Sequence, residues 1–147
     1  MGQAFPWRES FAVGHSGLDG EHRRIAALIN DIAAGVVAGI GADAFADLLR
    51  QLREAAIEHF KNENTILWEL RAGTYAGLRD RPRSPPVVKA MAEAAFDEHI
   101  AEHKAMVTQM DALSELPREA LAETLKTWFI DHAIKQDAHL KAIFQAL

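Results

Sequence analysis

Two pairs of side chains able to bind a metal recur at a four-residue spacing in this chain: His59 with Glu63 in HFKNE, and His99 with His103 in HIAEH. Residues four apart share one face of a helix and can converge on one point. His22 and His132 stand alone in two further helical stretches, and Asp137 follows His132 by five residues. An imidazole or carboxylate buried among apolar neighbours is costly unless it is paired. A metal centre resolves that cost for the whole set at once. Neutral nitrogens mixed with anionic oxygens suit a first-row metal such as iron better than calcium or magnesium. Five imidazoles and two carboxylates exceed what one transition-metal ion takes. The set points to two ions bridged by the carboxylates.

Positioning these residues takes four helices. Apolar side chains repeat at helical spacing over about 19–38, 44–70, 85–113 and 117–146, and almost nothing alternates as a strand would. The stretch GIGAD (39–43) breaks the first two helices apart, with Asp43 expected as an N-cap. Ser84 before Pro85 is expected to start the third helix, and Pro117 to set the first turn of the fourth. Long helices with mostly short links predict an all-α fold, an antiparallel up-and-down four-helix bundle. It would form one domain over 1–147, with an N-terminal extended arm over 1–18. With the links at 39–43 and 114–117 placed at one end, the seven candidates fall within roughly 14 Å along the axis. One spacing resists a regular helix. His132 and Asp137, five apart, would point about 140° away from each other. Both can face one centre only through a distortion, so a π-type widening is expected between Ile130 and Leu140.

Composition narrows the partners. Apolar residues make up 49% of the 147 and charged residues 25%, the balance of a soluble globule. A net charge of −5 argues against nucleic acid and anionic membranes as general partners. No apolar run approaches the length of a membrane span, and the start MGQAFPWRESF lacks the features of a secretory signal. The absence of cysteine removes disulfides, thiolate ligands and thiol nucleophiles. A cytoplasmic monomer is the expectation. The connection 71–86, with four arginines and three prolines, reads first as a solvated insertion and second as a docking surface for a protein partner.

Five pieces of the chain, in order, resemble the hemerythrin family and its bacterial single-domain members, the bacteriohemerythrins. They are WRESFAVG (Trp7 to Gly14), DGEH (Asp19 to His22), HFKNE (His59 to Glu63), HIAEH (His99 to His103) and WFIDHAIKQD (Trp128 to Asp137). The resemblance implies a non-haem, oxo- or hydroxo-bridged centre of two iron ions that binds dioxygen reversibly, for storage, delivery or sensing. His99, His103 and His132 would hold one iron, and His22 and His59 the other. Glu63 and Asp137 would bridge them, leaving an open position on the iron with fewer imidazoles. The resemblance also implies an apolar dioxygen pocket formed by Phe60, Trp128, Phe129 and Ala133.

Several positions depart from the family pattern. Asn64 stands where a second glutamate is frequent, Leu67 where methionine is common, and Leu140 in place of a tyrosine. Ala133 replaces the usual isoleucine after the fourth-helix histidine. The missing carbons imply a cavity or a solvent path there, and faster autoxidation, unless Trp7 or another N-terminal aromatic fills the space. The connection 71–86 also lengthens the gap between Glu63 and His99 beyond the family's usual spacing.

Other metal chemistries fit less well. A ferritin-like oxidase needs Glu-x-x-His motifs, and the chain contains none. His99 to His103 also reads H-x-x-E-H, an inverted zinc-peptidase motif, but that would leave the remaining histidines without a role. Glu102 is then a solvated surface residue, and His15 and His139 lie at the surface or behind the ligands. The expected protein is an oxygen binder, not an enzyme; a di-iron enzyme reducing peroxide or nitric oxide is the alternative.

Overall fold

The first amides of a helix lack carbonyl partners, and at the first long helix a side chain supplies an acceptor for one of them. In the computed structural model, which describes residues 7–75 and 86–146, helix α1 spans Ser16–Ala38. It starts three residues before the apolar repeat indicated. The reason is His15, whose Nδ1 accepts from the Leu18 amide at 3.1 Å and caps the helix. Asp19 lies within the first turn and reaches back to accept from Val13 N at 2.7 Å and Gly14 N at 3.3 Å. That carboxylate pins the arm to the bundle. The arm itself is not extended throughout, because Glu9–Phe11 forms a turn of 3-10 helix.

Helix α1 ends at Gly39 in the left-handed region (φ 66°), where Ile40 N donates to the Gly35 carbonyl. A residue without Cβ adopts that conformation at little cost. Helix α2 spans Ala42–Ala72, capped by Gly41 and closed by Gly73. Asp43, expected as its cap, sits inside the first turn, where its charge still favours the positive end of the helix. Helix α3 spans Pro86–Leu113 and α4 spans Arg118–Ile130. Pro117 is the residue that caps α4. The start proposed at Ser84 and most of the 71–86 connection lie outside the described residues.

The fourth stretch is interrupted. A π-helical turn at Asp131–Gln136 joins α4 to α5, Ala138–Ala146. Asp137 N donates to the His132 carbonyl at 3.0 Å, one residue further back than an α-helical bond reaches. Regular spacing returns at once, with Lys141 N donating to Asp137 O at 3.0 Å. The distortion expected from the five-residue spacing is present.

The helices pack as a four-helix bundle in which α2 lies between α1 and α3, and α4 closes against α1. Two apolar clusters fill its interior. One, nearer the 39–41 and 114–117 links, holds Ile29, Ile32, Leu52, Leu121 and Leu125. The other, toward the opposite end, holds Leu18, Leu67, Leu70, Leu140 and Ile143. Burying each such side chain contributes about 1.5–3 kcal/mol. The polar residues singled out in the sequence lie between the two clusters, so apolar packing on both sides fixes their height. No helix among the described residues is long and apolar enough to cross a membrane.

Candidate metal centre

Each helix contributes to one buried polar cluster: α1 gives His22, α2 gives His59 and Glu63, α3 gives His99 and His103, and the α4 side gives His132 and Asp137. His22, His59, Glu63 and Asp137 are fully buried, and the other three are at most 3% exposed. Ligand atoms of His22, His59, Glu63, His132 and Asp137 all lie within 4.8 Å of one another. So do those of Glu63, His99, His103 and Asp137. The two carboxylates are common to both sets, which is the geometry a bridging pair requires. One detail differs from the family pattern. His132 falls with His22 and His59, its Nε2 3.2 Å from His59 Nε2. Asp137 Oδ2 draws it there, at 3.0 Å from His132 Nε2 and 2.8 Å from His22 Nε2.

Charge explains why the cluster is held so tightly. Burial pushes the His59 imidazole down, but the Glu63 carboxylate and the hydrogen bond with Glu21 outweigh it and raise its pKa to about 9. Burial likewise opposes protonation of His132, yet Asp137 and Glu63 raise it to about 10. Glu63, which burial would raise, is held well below the usual carboxylate range by His59 and His132. Burial lowers His99. Two carboxylates enclosed in an apolar bundle thus demand positive charge, which protons or a metal cation can supply.

Hydrogen bonding supplies a second test of whether a metal fits. Both nitrogens of His22 and His99, Nε2 of His103, and both oxygens of Glu63 and of Asp137 are buried with no hydrogen-bond partner among the described residues. Imidazoles approach the carboxylates at 2.8–3.2 Å without the alignment of a hydrogen bond. Each such group left unsatisfied costs about 1–3 kcal/mol. A converging donor set of imidazole nitrogens and carboxylate oxygens, most of them without aligned partners, fits a first-row metal ion.

Three residues outside the sequence-derived set orient it. His59 Nδ1 donates to Glu21 Oε1 at 2.9 Å, and Asn62 Nδ2 holds the other Glu21 oxygen. His103 Nδ1 donates to Asn64 Oδ1 at 2.8 Å. In the neutral ring, each bond favours the tautomer with its proton on Nδ1, which turns the Nε2 lone pair toward the cluster. Glu21 precedes His22 directly, so its place in DGEH was the available signal. Asn62 and Asn64 flank Glu63; Asn64 stands out in the sequence only as replacing a frequent second glutamate, and Asn62 carries no signal of its own.

The apolar wall is assembled from two helices and the arm. Phe60 stacks on His103 with centroids 4.4 Å apart, and Phe129 meets His22 edge-on at 5.9 Å. Trp128 lies 6.2 Å from Phe60 and donates its indole N–H to the Met106 carbonyl at 3.3 Å. Ala133 is 4% exposed, in the same cluster as these three and Phe11. Phe11 packs edge-on against Phe129 at 6.0 Å, and its 3-10 turn lies against the π turn. Phe11 thus stands in the same buried cluster as Ala133, on the arm that lies against the π turn. Trp7 rests beside it, 6.4 Å from His22. His15 serves as a helix cap, and exposed His139 has its ring 6.1 Å from that of His99. Glu102 is half-buried in a cleft, not fully solvated.

A family model, the hemerythrin HHE cation-binding domain, matches residues 13–144. No curated protein and no solved structure matches the chain.

Proposed function

The chain belongs to the hemerythrin family, and from that premise we propose that it is a non-haem di-iron protein that binds dioxygen reversibly. The observation that supports this best is the pair of overlapping ligand sets sharing Glu63 and Asp137. On this reading His22 and His59 would hold one ion, and His99, His103 and His132 the other, with Glu63 and Asp137 shared. When bound, the two ferrous ions supply the electrons that hold dioxygen. The protein's own residues do the rest. Glu63 and Asp137 offset the charge of two cations in a water-poor interior. Glu21 and Asn64 fix the tautomers of His59 and His103. Phe60, Trp128, Phe129 and Phe11 wall the cluster with apolar rings and would keep solvent from a bound centre, which favours binding and release over turnover.

The test is metal analysis of the purified protein together with ultraviolet–visible spectra of its reduced form before and after air. Two irons per chain and a stable new spectrum in air are expected, with His59→Ala and Glu63→Ala each losing metal. Stoichiometric zinc after iron-replete growth, or a single iron, would overturn the di-iron reading. Rapid turnover of peroxide or nitric oxide without a stable oxygenated form would replace the binder with a di-iron reductase.

A further inference from the structure

Between α2 and α3 the bundle surface opens into a cleft of about 900 Å³, within the roughly 300–1,000 Å³ typical of small-molecule sites. Its apolar lining is Ile57, Phe60 and Trp68 from α2 and Ile100 and Val107 from α3. Two of these are large side chains left in solvent, Trp68 at 50% exposed and Ile57 at 36%. Thr65 and Thr108 also line the cleft, but each hydroxyl donates to the carbonyl four residues back at 3.0 Å and has no hydrogen left to offer. Asn64 differs. This half-buried residue accepts at Oδ1 from His103 Nδ1, and its amide nitrogen has no hydrogen-bond partner among the described residues.

The charge of the cleft has one sign. Lys61 and Lys104 line it, and no aspartate or glutamate does among the described residues. The cross-links Arg53–Asp111 and Asn64–His103 set the antiparallel register of α2 and α3. In that register Lys61 and Lys104 stand at about the same height on opposite walls. Nearby arginines of α2 are matched, Arg50 by Asp47 and Glu54, and Arg53 by Asp111. The two lysines have no ion-pair partner among the described residues, in a chain whose net charge is −5.

We propose that this cleft binds a small amphipathic anion, an apolar aliphatic or aromatic body carrying one carboxylate. The body covers Trp68 and its apolar neighbours. The carboxylate lies between the two ammonium groups, and charged donors bind it more strongly than neutral ones do. Asn64 Nδ2 adds a directional hydrogen bond. A cation meets repulsion from the lysines, a neutral body leaves them unmatched, and a small bare anion leaves Trp68 in water. The cleft is formed without any metal, so the inference stands apart from the di-iron reading.

The probe is octanoate, titrated into the full chain and followed by calorimetry and by tryptophan emission. One saturable site is expected. The double variant Lys61→Glu, Lys104→Glu should bind roughly tenfold more weakly, the loss of two exposed ion pairs. Both lysines are exposed, so its helix content should be unchanged. Lys89→Glu, the same charge change at an exposed position outside the cleft, should bind as the unmodified protein does. Trp68→Phe should still bind by calorimetry but lose the emission change, which locates the ligand. Added salt should weaken binding. Octylammonium and 1-octanol should bind at least tenfold more weakly than octanoate, and acetate should not displace it. Absence of saturable binding would overturn the proposal, as would equal binding by octylammonium or by the lysine double variant. Displacement by acetate would place the anion at a metal instead. Self-association that buries Trp68 and excludes octanoate would assign the cleft to a second copy of the chain.

Discussion

Glu21 and Asn64 never touch the centre, yet each decides what a ligand can do. An imidazole whose Nδ1 donates to a fixed acceptor presents its lone pair at Nε2 in one orientation. Without that acceptor, ring rotation and the other tautomer compete with metal binding. Glu21 is the stronger of the two, because a carboxylate also raises the basicity of His59. Glu21→Ala is expected to weaken metal affinity by about 10–100-fold, and Asn64→Ala to weaken it less. Competition against a chelator of known affinity measures both. Equal affinity in Glu21→Ala and the unmodified protein would show that packing around Phe60 alone orients the ring.

At the scale of elements, the π turn and the N-terminal arm form one device. The turn brings Asp137 to the same side as His132, and the arm covers its outer face with Phe11. Ala133 lies in the buried cluster that receives Phe11 and Phe129. Isoleucine at 133 would add three carbons where the arm already packs. Ala133→Ile is therefore expected to destabilise the protein by about 1–3 kcal/mol and to leave autoxidation no slower. Phe11→Ala should open the space instead, costing about 3–5 kcal/mol and hastening loss of the oxygenated form. Denaturant melts and stopped-flow decay of the oxygenated spectrum check both variants. A stable Ala133→Ile protein with slower decay would mean that the arm leaves room after all.

For the whole molecule, the cluster makes stability depend on pH and on metal together. In the metal-free chain His59 and His132 have pKa values raised from 6.5 to about 9 and about 10. Groups raised in this way stabilise the fold fully below pH 6.5, and that contribution is lost as pH rises through 9 and 10. The midpoint temperature of the metal-free protein should thus fall between pH 7 and pH 10. With metal bound, the imidazoles carry no exchangeable ring proton at Nε2, so the same fall should be absent. Melting curves of both forms across that range check the claim. A metal-free protein whose midpoint is flat or rises would show that the carboxylates are balanced in another way. Proton release on loading at neutral pH is the complementary sign of the same coupling.

Much of this protein was legible in its sequence because helical spacing is a local property. Residue types four apart placed Glu63 on the face of His59, and His103 on the face of His99. The five-residue interval from His132 to Asp137 even required the π turn, since a regular helix cannot aim both inward. Apolar repeats and breaker residues were enough for four helices and their order. The finer decisions belong to tertiary packing. Which helix faces which is set by how the buried stripes interdigitate, so the pairing of His59 with Glu21 and of His103 with Asn64 joins residues 38 and 39 positions apart. The position of Phe11 against Phe129 depends on a 3-10 turn and on Asp19 anchoring the arm, neither of which the apolar pattern encodes. His132 keeps company with His22 and His59 because Asp137 pulls it there. Such a contest between neighbouring charges is settled only once the helices have brought them together.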